Sequence, residues 1–308
     1  MAMEIFFASD EGYAKHLLVA ISSILLNADK DDEFNIYILD GGIKKENRDK
    51  ILSLKKFKNF NLEFISPDAS LTDGFLIPKE IKHLTKQTYY RYLIPVLKPN
   101  LKKALYLDCD LAVNGSLKEL YNTDLKDKYC AAVKETNQIC CAKGIQDTGV
   151  KNYFNAGVLL INAEKWVKEN IFETLIKNTE RLYKENKLSF FDQDVLNYTF
   201  RENVIFIDHK FNFTSNGCLD ISDINAKPVI VHFCGGTKPW KQGYDFFADS
   251  YLKPLYLAGY KNEYYKIKLY HLFIKFLHRI FLVKNKYKNY KKYKLIQILG
   301  FIFLIKTK

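Results

Sequence analysis

The 308 residues are 48% hydrophobic and 15% aromatic, which is enough apolar material for a substantial core and excludes a disordered or fibrous protein. The formal net charge of +12 resides entirely in residues 260–308, which hold 13 of the 47 basic residues and one of the 35 acidic residues. Because a nucleic-acid enzyme is expected to line its main cleft with positive charge, the neutral remainder argues against that class.

The first half of the chain alternates strands and helices. Short apolar runs predict strands, and apolar residues at helical spacing predict helices. The predicted strands are residues 4–8, 34–39, 61–65 and 104–107, and the predicted helices are residues 13–26, 44–57 and 84–96. This alternation indicates an α/β fold with a mostly parallel central sheet, in which ligands bind beyond the carboxyl ends of the strands.

The second half continues the pattern up to a change in composition near Tyr260. The predicted strands are residues 154–161, 204–207 and 229–233, and the predicted helices are residues 163–183 and 192–200. Acidic residues almost vanish after Tyr260, where Lys, Tyr and Phe predominate. We therefore predict a catalytic domain over residues 1–259 and a basic tail over residues 260–308.

The cysteines and the N-terminal segment indicate a cellular compartment. The six cysteines form no C-x-x-C pair, and the first residues lack the basic and long apolar regions of a signal peptide. Reduced thiols and the cytoplasm are therefore expected, and disulfides are the less favoured alternative.

Two carboxylates, Asp108 and Asp110, follow the predicted strand 104–107. If the chain turns between them, their oxygens converge and suit a hard divalent cation, which can neutralise a diphosphate. A pair of solvated acids in a loop is the structural alternative. A phosphohydrolase of the haloacid dehalogenase type is the functional alternative, since it also has D-x-D after an apolar strand. Ala112, where those enzymes carry Thr or Val, and the distance from the first strand count against it.

A second candidate segment, residues 232–240, begins at the end of the predicted strand 229–233. His232 can complete a metal site with carboxylates, while Gly235 and Lys238 suit a phosphate through backbone approach and positive charge. A glycine turn beside a buried histidine is the structural alternative.

Two shorter segments suit a sugar. Asp192, Gln193 and Asp194 can accept hydrogen bonds from sugar hydroxyls, although Asp192 is also well placed to cap a helix. Asn155 and Ala156, followed by a glycine, leave room for a ligand or simply start a strand.

Taken together, these motifs resemble family 8 glycosyltransferases, and most closely the bacterial galactosyl- and glucosyltransferases of the lipopolysaccharide outer core. The resemblance covers about residues 3–258 and keeps the order of the family's motifs. The motifs are Phe7-Ala8-Ser9-Asp10 with Tyr13, Tyr90-Arg91, Leu107-Asp108-Cys109-Asp110, Phe154-Asn155-Ala156-Gly157-Val158, Asp192-Gln193-Asp194, and His232 with Gly235 and Lys238-Pro239-Trp240. The resemblance implies a GT-A fold, a UDP-hexose donor, Mn²⁺ and retention of the anomeric configuration.

The resemblance also implies a role for each motif. It implies uracil and ribose contacts by Ala8, Asp10 and Tyr13; Mn²⁺ ligation by Asp108, Asp110 and His232; diphosphate contacts by Gly235 and Lys238; and donor-sugar contacts by Arg91, Asn155, Ala156, Asp192 and Gln193, with Cys109 in the same donor site. Asp192 and Gln193 are the catalytic candidates, with Gln193 on the β face of the anomeric carbon. Gly12 departs from the relatives, which often carry an amide side chain there.

The implied chemistry is physically consistent. A metal and Lys238 would neutralise the UDP leaving group without a strong acid, and the oxygens of Asp192 and Gln193 would favour an oxocarbenium-like transition state. Because an amide is a poor nucleophile, both same-face attack and a covalent intermediate remain open for retention.

The tail has the pattern of a membrane-surface segment. Residues 267–283 predict a basic amphipathic helix, residues 284–294 interleave Tyr with Lys, and residues 295–305 are apolar but too short for the ~20 residues of a membrane span. We expect peripheral attachment to an anionic membrane on the inner face of the cell membrane, near a lipid-linked or oligosaccharide acceptor. Nucleic acid is not the expected partner. The alternatives are a core-packing helix, RNA binding through Lys and Tyr, and a non-catalytic membrane- or RNA-binding module.

Overall fold

The protein is described from a computed structural model. The structure describes residues 2–76, 85–214, 227–236, 238–241, 247–284, 293–298 and 301–306, and its description of side chains ends at residue 274.

A seven-stranded sheet forms the centre of the fold, in the order β3-β2-β1-β4-β7-β6-β8. Its strands are β1 (Met3–Ser9), β2 (Phe34–Asp40), β3 (Asn61–Ile65), β4 (Ala104–Leu107), β6 (Cys130–Lys134), β7 (Phe154–Ile161) and β8 (Val204–Phe206), while β5 (Leu111–Val113) lies outside it. Within this sheet only β7 runs opposite to the other strands. The prediction of a mostly parallel α/β sheet is therefore confirmed.

The two faces of the sheet form separate halves of the core because successive side chains of a strand point to opposite sides. On β1, Ile5 and Phe7 pack into one hydrophobic cluster, whereas Phe6 packs into the other. Both clusters are covered by helices, so the domain has three layers, as expected for strands connected through helical crossovers.

The helices of the first half are α1 (Ala14–Leu26), α2 (Lys45–Leu52), α3 (Ala69–Thr72), α4 (Ile94–Leu97) and α5 (Lys118–Tyr121), with 3₁₀ helices at Ser53–Lys56 and Lys86–Leu93. Helix α1 is mostly apolar and has eleven buried residues. The helix predicted at residues 84–96 is mostly the 3₁₀ helix, which continues into α4 at a proline that suits a helix start.

The helices of the second half are α6 (Gln138–Thr148), α7 (Ala163–Lys168), α8 (Ile171–Lys184), α9 (Asp192–Phe200), α10 (Ala248–Leu257) and α11 (Lys261–Lys284), with a 3₁₀ helix at His209–Phe211. The single helix predicted at residues 163–183 is wrong, because Asn170 adopts the left-handed conformation (φ 49°) and separates α7 from α8. Strands β5 and β6 and helices α3, α5, α6 and α10 were not predicted.

A three-stranded sheet in the order β5-β10-β9 adjoins the site. Strand β9 is Phe213–Thr214 and β10 is Ile230–His232, so the strand predicted at residues 229–233 exists but belongs to this smaller sheet. His232 of β10 pairs with Leu111 of β5, immediately after Asp110. This pairing brings the second candidate segment to the D-x-D motif.

The segment predicted as a tail begins against the rest of the chain. Helix α11 contains the predicted helix 267–283; Lys15 of α1 contacts Glu263 at 2.7 Å, and Ile267 and Ile274 are buried. The apolar segment 295–305 contributes to an antiparallel hairpin of β11 (Tyr293–Ile298) and β12 (Phe301–Lys306), while most of the Tyr/Lys segment 284–294 lies outside the described residues. Among the helices described, none is both long and apolar enough to cross a membrane.

Candidate functional site

The predicted site residues meet in one cleft of ≈ 580 Å³ at the carboxyl edge of the central sheet. The parallel strands β1 and β4 end there, and the antiparallel β7 begins there, so residues from distant parts of the chain converge. The predicted residues that line the cleft are Ala8, Asp10, Tyr13, Arg91, Asp108, Cys109, Asp110, Asn155, Ala156, Asp192, Gln193, His232 and Gly235. Lys238, the remaining predicted residue, is buried behind Asp110.

Asp108, Asp110 and His232 form a cluster that could hold a metal ion. Their ligand atoms lie within 4.8 Å of one another, with His232 Nε2 at 3.2 Å from Asp110 Oδ1 and 3.7 Å from Asp108 Oδ2. The chain turns between the two carboxylates because the Asp108 N–H donates to the Gly157 carbonyl while the Asp110 carbonyl accepts from the Phe233 N–H. Two carboxylates and one imidazole fit Mn²⁺ or a similar divalent cation.

Gly157 of β7 lies directly against this cluster. A Cβ at this position would lie 2.2 Å from His232 Cε1 and 2.8 Å from Asp108 Oδ2. The absence of a side chain is therefore a condition for the approach of the two ligands.

Each carboxylate of the cluster also has a basic partner. Arg91 Nη2 donates to Asp108 Oδ1 at 2.9 Å, and Lys238 Nζ donates to Asp110 Oδ2. Burial opposes the ionisation of Asp110, but the Lys238 ammonium outweighs it and holds the pKa of this carboxyl well below its usual range. Without a metal, the charges of Arg91 and Lys238 balance those of Asp108 and Asp110.

Arg91 also organises the part of the cleft formed by Tyr106, Ala156 and Asp192. Its guanidinium lies 4.2 Å above the centre of the Tyr106 ring, donates to the Ala156 carbonyl, and contacts Asp192 Oδ2 at 3.1 Å. Burial raises the pKa of Asp192 to about 7 against the opposing effect of Arg91. Desolvation thus outweighs the ion pair at this carboxyl.

The segment 192–194 divides its three side chains between the cleft and the interior. Gln193 lines the cleft, and its Oε1 accepts from the Ala156 N–H at 2.9 Å. Asp194 is fully buried and instead accepts from the Tyr153 hydroxyl and the Phe190 N–H, both at 2.6 Å. Phe191, not Asp192, is the N-cap residue of α9, so the capping alternative for Asp192 is not what the structure adopts.

Another part of the cleft is built at the end of β1. Cys109 Sγ donates to the Ala8 carbonyl at 3.2 Å, and Asp10 Oδ1 accepts from the Tyr13 N–H at 3.1 Å. The Tyr13 side chain is 43% exposed at the mouth of the cleft. At Gly12, a Cβ would lie 3.2 Å from Asp10 Oδ1, so a larger side chain would crowd this acid.

Several cleft residues were not predicted from the sequence. They include Gln87, Thr88, Glu135, Asn137, Cys140, Ser189 and Cys234. Glu135 follows β6, whose Ala-rich sequence lacks most of the β-branched and aromatic residues that predict a strand. Glu135 Oε2 accepts from Asn155 Nδ2 at 2.9 Å, so the NH₂ group of Asn155 already has a hydrogen-bond partner within the protein.

Sequence comparison identifies related proteins along most of the chain. The family model for glycosyl transferase family 8 matches residues 4–243. General stress protein A of Bacillus subtilis is 32% identical over 252 residues, which cover 77% of this chain and 87% of that protein. Lipopolysaccharide 1,3-galactosyltransferase of Salmonella typhimurium is 30% identical over 264 residues, which cover 75% of this chain and 76% of that enzyme.

Solved structures share the fold. The crystal structure of the galactosyltransferase LgtC with donor and acceptor sugar analogues matches with a TM-score of 0.70 and 31% identity, over 83% of this chain and 95% of that one. The glycosyltransferase GlyE of Streptococcus pneumoniae matches with a TM-score of 0.63 and 26% identity, over 82% and 60%. The predicted GT-A fold is confirmed by these matches.

Proposed function

The chain belongs to glycosyl transferase family 8, and we propose that it moves a hexose, galactose or glucose, from UDP to a hydroxyl of a lipopolysaccharide or lipooligosaccharide acceptor. The transfer would use Mn²⁺ and retain the anomeric configuration. The observation that carries the proposal is the convergence of Asp108, Asp110 and His232 beside Lys238 at the carboxyl edge of the sheet. Relatives named as lipopolysaccharide galactosyl- and glucosyltransferases support the acceptor class.

The leaving group is stabilised by charge in this proposal. Asp108, Asp110 and His232 would hold Mn²⁺, which neutralises the diphosphate as the bond to the sugar breaks. Lys238 adds a buried ammonium beside the same cluster, and Gly235 allows the backbone to approach a phosphate. A buried cation acts strongly on developing charge because little water screens it.

The sugar would lie between Arg91, Asn155, Ala156, Asp192 and Gln193, while Ala8, Asp10, Tyr13 and Cys109 would line the nucleotide end. The Gln193 Oε1 atom is already held by a backbone N–H of Ala156. This hydrogen bond reduces the electron density available for nucleophilic attack, which supports same-face attack over a covalent adduct on Gln193.

The D-x-D residues are shared with the phosphohydrolase alternative. Asp108 Oδ1, however, accepts from both Arg91 Nη2 and the Tyr106 hydroxyl, at 2.9 and 3.0 Å. These bonds suit an oriented metal ligand better than a nucleophile. The family match spans both carboxylates and supports transfer.

Metal-dependent turnover of UDP-sugars tests the proposal. Purified protein would be incubated with UDP-galactose or UDP-glucose and Mn²⁺, and UDP release measured with and without excess EDTA. Asp110→Asn and His232→Ala should reduce release at least 100-fold, whereas Asp49→Asn, at an exposed ion pair on α2, should not. Full activity in EDTA or in the Asp110 variant would contradict the proposal, and so would a product with inverted anomeric configuration by NMR coupling constant.

Attachment to a membrane is the second part of the proposal. Residues 1–259 would form the catalytic domain, and residues 260–308 would rest on the anionic inner face of the cell membrane, with the enzyme otherwise in the cytoplasm. Helix α11 supports this because its buried face, Ile267 and Ile274, packs on the body while a second apolar face is exposed. The exposed residues are Tyr265 (53%), Leu269 (66%), Leu272 (52%) and Phe273 (41%). An apolar stripe beside basic residues is typical of helices at a bilayer surface.

Flotation with anionic liposomes tests this attachment. Leu269→Glu combined with Phe273→Glu should weaken flotation at least tenfold, since two apolar side chains become charged. Leu52→Glu, at a comparably exposed leucine (41%) of α2, is the matched control and should float as the original chain does. Equal flotation of the double variant would exclude α11 as the anchor, and preferential binding to RNA would favour the alternative partner.

A further inference from the structure

Four buried side chains form a continuous line of hydrogen bonds behind the metal cluster. Glu135 Oε2 accepts from Asn155 Nδ2, Asn155 Oδ1 accepts from Asn212 Nδ2, and Asn212 Oδ1 faces His232 Nδ1, each at 2.9 Å. Asn212 is 1% exposed, and the other three residues are between 3% and 8% exposed. Water therefore has little access to any of these bonds.

The direction of this line is determined by its fixed groups. A carboxylate such as Glu135 only accepts hydrogen bonds when ionised, so Asn155 must turn its NH₂ group towards it. The Gly157 N–H donates to Asn155 Oδ1 at 3.0 Å and requires the same orientation. Asn155 Oδ1 then needs a donor from Asn212, which leaves the Asn212 oxygen facing His232.

The orientation of Asn212 selects a tautomer of His232. Because Asn212 Oδ1 is an acceptor, the Nδ1 atom of His232 must carry the proton, and in the neutral ring Nε2 is then an unprotonated lone pair. This is the atom that lies 3.2 Å from Asp110 Oδ1 and 3.7 Å from Asp108 Oδ2. The lone pair is thereby presented to the position of the cation.

We propose that Asn212 is a positioning residue of the metal site, which holds His232 in the tautomer and ring orientation that bind a divalent cation through Nε2. The proposal rests on the proposed function for the presence of a metal, although the tautomer itself is a property of the metal-free protein. Partners that bind the second nitrogen of a metal-ligating histidine typically change metal affinity 10–100-fold when they are lost.

The test combines NMR of the histidine ring with metal binding. Two-bond ¹H–¹⁵N spectra of the metal-free full chain, in alkaline buffer, report which ring nitrogen of His232 is protonated. Mn²⁺ affinity is then measured by electron paramagnetic resonance. The original chain should have the Nδ1–H tautomer, and Asn212→Ala should gain the Nε2–H tautomer and bind Mn²⁺ about 10–100-fold more weakly.

Two further variants distinguish positioning from a general loss of structure. Asn212→Asp retains an acceptor for His232 Nδ1 but no donor for Asn155, so it should keep the tautomer and recover most of the affinity. Asn27→Ala removes an amide that bonds Ser23 and Val113 outside the site, and should leave both measurements unchanged.

The outcomes separate the two proposals. An unchanged tautomer and unchanged Mn²⁺ affinity in Asn212→Ala would overturn the role of Asn212, as would an Asn212→Asp protein that behaves like the alanine variant. Failure of the original chain to bind Mn²⁺ while the tautomer still depends on Asn212 would instead overturn the proposed metal dependence.

Discussion

Adding one methyl group at Gly157 should disable the metal cluster while leaving the fold in place. The new Cβ of Gly157→Ala would lie 2.2 Å from His232 Cε1 and 2.8 Å from Asp108 Oδ2. The carbon–carbon distance is about 1.3 Å shorter than the closest favourable contact of about 3.5 Å. His232 or Asp108 must therefore move away from position 157 to remove the overlap.

The backbone around Gly157 has little freedom to absorb the clash. Its carbonyl accepts from the Asp108 N–H at 2.8 Å, and its N–H donates to Asn155 Oδ1 at 3.0 Å. Every residue of β7 is buried, so movement of the strand would disturb the core on both sides. We expect His232 and Asp108 to shift instead.

The expected magnitudes follow from these contacts. Overpacking of a buried site costs about 1–3 kcal/mol of stability, which is a modest loss for a domain of this size. A misplacement of about 1 Å at a reacting centre lowers turnover about 100-fold. Gly157→Ala should thus lose roughly 100-fold in kcat/KM and at least tenfold in Mn²⁺ affinity, with cooperative thermal unfolding retained.

Calorimetry, UDP-release kinetics and Mn²⁺ titration measure the three quantities on one preparation. Gly115→Ala is the matched control, because its Cβ would make ordinary contact with Val229 at 3.7 Å. It adds the same methyl group outside the site and should change neither kinetics nor metal affinity. A Gly157→Ala protein with the original Mn²⁺ affinity and kcat/KM would refute the reasoning.

Three further predictions concern charge and catalysis. Lys238→Met should weaken UDP binding but strengthen Mn²⁺ binding to the nucleotide-free protein by calorimetry, since an ammonium beside Asp110 repels a second cation. Burial raises the pKa of Asp194 from 3.8 to about 6, so the folded state binds this proton more tightly than the unfolded state. The free energy of unfolding should fall by up to about 3 kcal/mol as pH rises from about 4 to about 6, and urea titrations of Asp194→Asn should lack this decrease. Gln193→Ala should lower kcat more than donor affinity in steady-state kinetics if Gln193 acts mainly in the transition state.

The parts of the fold that were predicted correctly are those governed by local sequence. Strands β1, β2, β3, β4 and β7 are apolar runs bounded by polar residues, and α1 has apolar residues at helical spacing. Strand β5 has only three residues, and β6 contains two alanines, a residue depleted in strands, so neither is recognisable before its partners are known. The break at Asn170 depends on a single left-handed residue, which helical periodicity does not detect.

The residues of the cleft were likewise predicted only in part, because local sequence again identifies some of them and not others. Asp108 and Asp110 follow a recognisable strand. His232 and Gln193 were placed in the same site because of the resemblance to a family. The sequence did not distinguish Asp194 from its neighbours, although it is fully buried and bonds Tyr153 rather than lining the cleft. Rotation of about 100° per residue along α9 separates adjacent side chains, and only the packing of the helix decides which of them face inward.

The orientation of the metal ligands depends on contacts that no local pattern contains. Glu135, Asn155, Asn212 and His232 are separated along the chain by 20, 57 and 20 residues, and they come from four different segments. Asparagine is ordinarily a surface or turn residue, so Asn212 carries no signal of its own. Its role follows only when the donors and acceptors of a buried region are assigned together, because each amide orientation constrains the next. A motif can therefore identify which residues could contact a metal, whereas in our proposal the tautomer of the histidine among them depends on a residue outside the motif.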